Sequence, residues 1–205
     1  MMSSPFDPIQ QENNLDSKIT FALDRISLVF KSLQLEQSKK TNLSPIQLQI
    51  LVFLLYHSTE MHRVSYLAQE FNLTKATISD SVKALIQKGL IRKVSDPSDS
   101  RSFSLNLTSK GRAQATDAAQ MANPMANVIG NYTVDQKEMF YSILLNTIKE
   151  LQAKGLIPIQ RMCFSCIHYK NQSPAHYCTL LKKVLIDSDI RIDCREHEPG
   201  EFVVS

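Results

Sequence analysis

The four cysteines are the residues of this chain whose type and spacing predict chemistry most directly. They follow the spacing C-x2-C-x11-C-x15-C, and the 162 residues before the first of them contain no cysteine. Four thiolates suit tetrahedral Zn²⁺, and a C-x2-C pair can present both sulfurs to one ion. The sequence therefore predicts one metal centre, with zinc as the favoured cofactor, held by Cys163, Cys166, Cys178 and Cys194.

An iron–sulfur cluster remains open as an alternative, because the same four sulfurs could hold one. A plain zinc ribbon has two C-x2-C pairs, whereas this tail has one. A cluster would make the protein a redox sensor or, in a different class, a redox or electron-transfer protein. Unliganded core thiols are disfavoured, since all four cysteines lie within 32 residues. The histidines nearby are expected to be surface or supporting groups rather than ligands: His168, His176 and His197.

The rest of the tail predicts a segment that depends on its metal. Residues 156–205 offer few apolar side chains for a core of their own. Metal binding would therefore supply much of their folding free energy. Arg161, Arg191 and Arg195 stand near the cysteines in sequence, where their charges could offset a metal–thiolate centre.

Residues 61–112 contain the element around which the rest of the chain is arranged. Apolar residues recur at helical spacing in two short runs, 64–71 and 78–86, with a three-residue break between them. Thr74 is a suitable N-cap for the second helix, and Gly89 is a suitable residue to end it. This pattern predicts a helix-turn-helix.

A two-stranded wing is predicted to follow the second helix. Leu90–Val94 and Ser102–Leu107 have strand character and flank a polar turn, 95–101. Residues 61–112 carry nine Lys and Arg against four Asp and Glu, a balance of +5, whereas the whole chain has a net charge of +3. Such a concentration of cations is what a phosphate backbone requires. The predicted wing and the local excess of cations together predict a winged helix-turn-helix that binds double-stranded DNA.

Three segments in this region resemble the MarR family of transcription regulators. They are Leu85–Lys93, Asp96–Arg101 and Leu107–Gly111, and the resemblance covers roughly residues 15–155. Relatives often have two adjacent basic residues in the wing, whereas Ser100 precedes the single Arg101 here. They often have a cation where this chain has Asp80. Because each departure removes a phosphate or base contact, the preferred DNA sequence is not carried over.

The candidate DNA contacts follow from position along the second helix and the wing. The first turns of the helix would face bases and phosphates, and they carry Thr74, Lys75, Thr77 and Ser79. Lys83 and Lys88 are better placed for the DNA backbone, and Arg101 would enter the minor groove or contact a phosphate.

Helices on either side of this region predict a homodimer. Residues 15–37 and 134–154 have apolar stripes that exceed what a small DNA-reading unit can cover. The resemblance implies that such terminal helices form the dimer interface and that a small-molecule effector binds between them and the DNA-reading unit. Two recognition helices held about one turn of DNA apart, roughly 34 Å, would read a pseudo-palindromic operator.

The whole chain is therefore expected to be mainly α, with three parts. These are a flexible arm (1–14), a MarR-like DNA-binding and dimerisation domain (15–155) and a four-cysteine metal-binding tail (156–205). A helix break is expected at Pro124, and a capping box is expected between Thr133 and Gln136. There is no secretion signal and no apolar run long enough for a membrane, so a cytoplasmic location is expected. The absence of a phosphate-cradling glycine loop or nucleophile motif argues against an enzyme.

Overall fold

The computed structural model describes residues 4–96, 99–158, 160–172 and 175–200. For residues 96 and 99–102 it describes the backbone but not the side chains. The helices and strands, in chain order, are α1 (Pro8–Asn13), α2 (Leu15–Thr41), α3 (Pro45–Tyr56), α4 (Val64–Glu70), α5 (Lys75–Gln87), β1 (Ile91–Asp96), β2 (Asp99–Leu107), α6 (Ser109–Ala119), α7 (Asn123–Gly130), α8 (Val134–Ala153), β3 (Tyr169–Gln172), β4 (Ala175–Cys178) and β5 (Lys183–Leu185). The prediction of a mainly helical chain with a helix-turn-helix and a two-stranded wing is confirmed. Among the described residues, no helix is both long enough and apolar enough to cross a membrane.

The chain forms two compact units. The first, called the wing unit below, contains the described residues up to Tyr56 together with Asp80–Pro124. The second, called the tail unit, contains His57–Ser79 and the described residues from Met125 onward. The tail unit therefore includes α4, the start of α5, α8 and the described residues from 156 onward, which are called the cysteine segment below.

The wing unit is built on the apolar helix α3, which packs against α6. The buried residues of α3 are Leu48, Ile50, Leu51, Phe53 and Leu54. Helix α6 contributes the small residues Ala115 and Ala118, both fully buried. At its start, a Cβ on Gly111 would lie 1.8 Å from the Leu90 carbonyl oxygen. Small residues therefore allow α6 to approach its neighbours closely.

The predicted helix ends are confirmed by the contacts of their capping groups. The Thr74 hydroxyl accepts a hydrogen bond from the Thr77 amide at 3.1 Å, and Gly89 has a φ of +68°. Thr133 and Gln136 form the predicted capping box at the start of α8. The predicted break near Pro124 is also present, because α6 ends at Ala119 and α7 begins at Asn123.

The wing is longer than predicted and its turn is shorter. Strands β1 and β2 pair from Ile91↔Leu107 to Asp96↔Asp99, with an irregularity between Ser95 and Asp96. Asp99–Arg101 therefore belong to a strand rather than to a seven-residue turn. Polar side chains suggested a loop, yet they do not prevent backbone N–H and C=O groups from pairing.

The segment expected to be a flexible arm contains a short helix, Pro8–Asn13. The Asp7 carboxylate accepts a hydrogen bond from the Ile9 amide at 3.0 Å, and Pro8 occupies the first helical position. Both are favourable residues for the start of a helix. The division of the chain at residues 14 and 155 remains a prediction.

The cysteine segment has a small apolar core that the sequence analysis did not anticipate. Its buried residues pack with one residue of α8, and the set is Leu145, Met162, Phe164, Leu185 and Ile190. The Tyr141 hydroxyl of α8 also donates to the Ile190 carbonyl at 2.6 Å. The tail was expected to have too few apolar residues for a core of its own, and the core that it does form includes Leu145 of α8.

Candidate DNA-reading surface and thiol centre

The first turns of α5 present polar side chains to solvent. Thr74, Lys75 and Thr77 are exposed and Ser79 is half-buried, while Ile78 between them is completely buried. The Thr74 and Thr77 hydroxyls lie 2.8 Å apart. Four of the predicted contact residues therefore follow one another at the N-terminal end of α5, where hydroxyl and ammonium groups are available to a ligand.

Lys83 of α5 and Lys88, which directly follows the end of that helix, already have oxygen partners in the free chain. Lys83 Nζ lies 3.1 Å from the Asp80 carboxylate, and Lys88 Nζ donates to the Asn42 carbonyl. Both lysines are exposed. An exposed ion pair such as Lys83–Asp80 contributes little to stability, so a phosphate oxygen could replace the Asp80 carboxylate. The partner of Lys88 is an uncharged carbonyl, which a charged phosphate oxygen could also replace.

The wing places the Arg101 backbone in β2, but the Arg101 side chain lies outside the described residues. Its predicted contact with DNA therefore remains a prediction. The described part of the wing adds a contact that the sequence analysis missed. Lys93 Nζ stands 4.2 Å from the centre of the Phe103 ring, which orients one more cation of the wing.

All four cysteines line a single cavity in the tail unit. The cavity measures about 20 Å³, which is room for roughly one water-sized sphere. A tight turn brings the first pair together, since the Cys166 amide donates to the Cys163 carbonyl at 3.0 Å. Cys178 ends β4, and the Cys194 amide donates to the Arg161 carbonyl at 2.9 Å. The predicted ligand residues are thus neighbours in space.

The thiols share this cavity without forming a preassembled ligand cage. Each is a free, half-buried thiol. Within the described part of the chain, no three His, Cys, Asp or Glu side chains stand close enough to hold one ion as they are. The donor set fits a soft or borderline metal in its chemistry, and binding would have to draw the sulfurs together.

Arg191 is the cation that contacts the thiols. Its backbone amide donates to Cys163 Sγ at 3.4 Å, and its Nη1 lies 3.8 Å from Cys194 Sγ. Burial raises the pKa of the Cys163 thiol, an effect that the Arg191 amide opposes and the neighbouring thiols reinforce. Burial also raises the pKa of Cys194, whereas hydrogen bonds from the Glu196 backbone and the Arg191 side chain act in the opposite direction. An N–H bond to sulfur favours the thiolate form that binds metal.

Arg161 contacts groups other than the sulfurs, contrary to expectation. Its Nη1 donates to Glu70 Oε2 at 2.6 Å and its Nε to Asp193 Oδ1 at 2.8 Å. It also contacts the Tyr66 hydroxyl at 3.2 Å and His57 Nε2 at 3.0 Å. Two carboxylates neutralise a guanidinium better than distant thiols would, which explains the difference.

The electrostatics of this cluster agree with its geometry. The hydrogen bond with His57 and the Arg161 guanidinium hold the pKa of Asp193 well below its usual range, although burial acts in the opposite direction. Burial alone would lower the pKa of Arg161, but its bonds to Asp193 and Glu70 outweigh this and raise it. The sequence analysis missed His57, Glu70 and Asp193 because no local pattern connects residues that lie so far apart in the chain.

The three histidines of the tail each have a hydrogen-bonding partner in the protein. His168 lines the thiol cavity and bonds to Glu198 at 3.1 Å. His176 bonds to the Tyr169 hydroxyl at 2.6 Å, and His197 to the Ser165 hydroxyl at 2.9 Å. These contacts agree with a supporting role beside the thiols.

Comparisons of the sequence with known proteins point to one family. Residues 41–102 match the model of the MarR family. The HTH-type transcriptional repressor YetL of Bacillus subtilis is 28% identical over 103 residues, which cover 49% of this chain and 62% of the repressor. The chain thus spans a little under two thirds of that relative. The HTH-type transcriptional regulator YdgJ of the same species is 26% identical over 55% of this chain and 70% of its own length.

Comparisons of the structure agree on the fold. The S. aureus MepR–DNA complex superposes with a TM-score of 0.55 at 19% identity, covering 65% of this chain and 97% of that one. A MarR family protein from Bacillus stearothermophilus gives a TM-score of 0.56 at 20% identity, covering 66% of this chain and 94% of that one. The predicted resemblance is confirmed for the winged helix, whereas the family match ends well before Cys163. Residues 41–102 of the chain are therefore similar to the MarR family, and the structure around them has the winged helix-turn-helix fold.

Proposed function

We propose that the protein is a dimeric transcription regulator that binds DNA in a sequence-specific manner. The observation that carries this proposal is the N-terminal end of α5, where Thr74, Lys75 and Thr77 are exposed above the buried Ile78. In helix-turn-helix proteins this end of the second helix reaches base edges in the major groove. The relatives support the proposal, since one is named a transcriptional repressor and a similar fold was solved as a protein–DNA complex.

The exposed apolar faces of α2 and α8 support the dimer. Of the described residues of α2, only Ser17 and Gln37 are buried. Most of its large apolar side chains are exposed, among them Ile19 at 51% and Leu35 at 54%. In α8, Val134, Met139 and Ile143 are more than half exposed. Apolar faces of this extent mark an interaction surface, and a second copy of the chain is the partner that we infer.

A selection experiment tests this part of the proposal. The purified protein would select duplexes from a random pool, and light scattering would give the number of chains per duplex. We expect two half-sites about 10 base pairs apart, centre to centre, and two chains on each duplex. A stable monomer at micromolar concentration, or binding without sequence preference, would contradict the proposal. A small-molecule effector that acts on the dimer also remains a prediction.

We further infer that the tail of this regulator binds one zinc ion through Cys163, Cys166, Cys178 and Cys194. The support is that four thiols share one small cavity and that Arg191 already directs an N–H group at a sulfur. Zinc is favoured because a closed set of four thiolates suits a structural zinc site. The same thiols are also the ligands that an iron–sulfur cluster uses, so the cluster is the alternative outcome.

A pair of variants separates thiol ligation from other ways of holding an ion. Cys166→Ser is expected to lose the bound metal, because a serine hydroxyl is a poor substitute for a thiolate. His168→Asn changes another residue that lines the same cavity and is expected to keep the metal. Metal content per chain is the measurement. Retention of metal by Cys166→Ser, or loss of it by His168→Asn alone, would contradict the proposed ligand set.

A further inference from the structure

Arg161 connects the cysteine segment to the helix-turn-helix. One end of its guanidinium binds Glu70 of α4, with Nη1 at 2.6 Å from Oε2 and Nη2 at 3.3 Å from Oε1. Its Nε binds Asp193 at 2.8 Å, and Nη1 also contacts Tyr66 of α4. All of these residues belong to the tail unit. One side chain therefore bridges the segment that carries the cysteines and the first helix of the helix-turn-helix.

The backbone beside Arg161 is fixed to two of the cysteines. The Arg161 carbonyl accepts from the Cys194 amide at 2.9 Å, and the Cys163 amide donates to the Arg191 carbonyl at 3.2 Å. Asp193 directly precedes Cys194, and Arg161 stands two residues before Cys163. A change in the spacing of Cys163 and Cys194 therefore acts on Arg161 itself and on Asp193, one of the two carboxylates that bind its guanidinium.

The bridge is buried enough to resist separation. The Arg161 side chain is 10% exposed and that of Glu70 is 25% exposed. Separating Arg161 from Glu70 would leave the guanidinium, away from water, with Asp193 as its remaining carboxylate partner among these contacts, which is unfavourable. Helix α4 is thus expected to follow Arg161 when the cysteine segment moves, and the turn after α4 leads directly into α5, with the Leu73 amide bonded to the Ala68 carbonyl at 2.9 Å.

We propose that Arg161 is the positioning residue through which the occupant of the thiol centre sets the placement and order of α4. This inference rests on the proposed metal binding. The four thiols do not yet stand at ligand distances, so an ion that draws them together binds one arrangement better than the other. Arg161 already binds Glu70 while the thiols stand apart. An ion that draws Cys163 and Cys194 together fixes this bridge in one arrangement through Arg161 and Asp193, which orders α4 and with it the start of α5.

Amide hydrogen exchange on the full-length protein tests this coupling without requiring a known operator. Exchange would be compared with zinc and with a chelator for the unsubstituted protein, for Glu70→Gln and for Glu36→Gln. Glu36 pairs with Lys40 at 2.8 Å on α2, so Glu36→Gln removes a carboxylate from an ion pair outside the bridge. We expect zinc to slow exchange in Val64–Glu70 about tenfold, within the usual range for coupled sites. Glu70→Gln should lose this effect, and Glu36→Gln should keep it.

Hydrogen exchange in the cysteine segment distinguishes a failure of the proposed coupling from a failure of the proposed metal binding. In Glu70→Gln, zinc should still slow exchange in residues 160–172, because the thiols are unchanged. If zinc slows exchange there but leaves α4 unaffected in the unsubstituted protein, the coupling is overturned and metal binding stands. The same holds if Glu70→Gln responds as the unsubstituted protein does. If no zinc binds and neither region responds, both proposals are overturned.

A milder variant covers the case in which Glu70→Gln does not fold. Tyr66→Phe removes one hydroxyl contact to Arg161 and keeps the ring. It is expected to reduce the effect of zinc on α4 without changing zinc content. An undiminished effect in Tyr66→Phe would then count against the bridge.

Discussion

The wing unit and the cysteine segment are held together in different ways. In the wing unit, helix α3 alone buries five large apolar residues, and short-range caps such as Thr108 on Gly111, at 3.0 Å, fix the helix ends. The cysteine segment buries only a handful of apolar residues. It is held instead by polar contacts to distant parts of the chain, including Tyr141 of α8 and Glu70 of α4.

This difference indicates how the two regions should respond to a substitution elsewhere in the chain or to a bound ion. A region with its own apolar core keeps its structure when a neighbour is altered, because burial of apolar surface is the main favourable contribution to folding. A region with a small core and many distant polar contacts depends on every partner that it contacts. The cysteine segment is therefore suited to a structure that varies with an occupant, whereas the wing unit is suited to a constant one.

The largest expected effect comes from removing the aromatic centre of the tail core. Phe164 is 5% exposed and meets the Tyr169 ring edge-on at 5.3 Å. Phe164→Ala should lower the free energy of unfolding of the tail unit by about 3–5 kcal/mol, as for other buried Phe→Ala changes. Ile186→Ala, at a 61% exposed position, is the control and should stay within about 0.5 kcal/mol. Chemical denaturation would measure both, and equal effects would contradict the apolar core around Phe164.

The next prediction concerns a substitution in the wing unit, Gly111→Ala. A Cβ at Gly111 would lie 1.8 Å from the Leu90 carbonyl oxygen, whereas a Cβ at Gly130 would meet nothing within 4 Å. Gly111→Ala should therefore cost about 3 kcal/mol, and Gly130→Ala should be close to neutral. Metal content in both variants should match that of the unsubstituted protein. Loss of metal from Gly111→Ala would contradict the independence of the two regions.

The smallest expected effects concern DNA binding by the wing and by α5. Arg101→Ala should weaken binding to all duplexes and reduce the slope of log K against log salt by about one, the value for one phosphate contact. Lys75→Ala is expected instead to change which sequence is preferred. Titrations at several salt concentrations, with selected and unrelated duplexes, would distinguish the two variants. Arg101→Ala that binds as the unsubstituted protein does would remove Arg101 from the interface.

The parts of the fold that the sequence predicted are those with short-range signals. Thr74, Gly89 and Thr133 mark helix ends because each cap contacts a backbone group a few residues away. Pro124 marks a helix break for a similarly local reason. The wing turn was predicted too long because polar side chains do not report on backbone pairing, which continues through Asp96↔Asp99.

The parts that the sequence did not predict depend on distant contacts. The spacing of the cysteines sufficed to predict that they meet, since all four lie in one short segment. It could not show that Leu145 of α8 completes the tail core or that Arg161 contacts Glu70, 91 residues away. Such pairings depend on the folded arrangement, and neither spacing nor composition in one sequence records them.

The most direct test of the metal centre is metal analysis combined with the visible absorption spectrum of full-length protein purified without oxygen. We expect a colourless protein with one zinc per chain, held by the four thiols of the tail. A brown protein with acid-labile sulfide would replace zinc by an iron–sulfur cluster. A metal-free protein in which residues 160–172 remain folded would contradict the proposed centre and the coupling built on it.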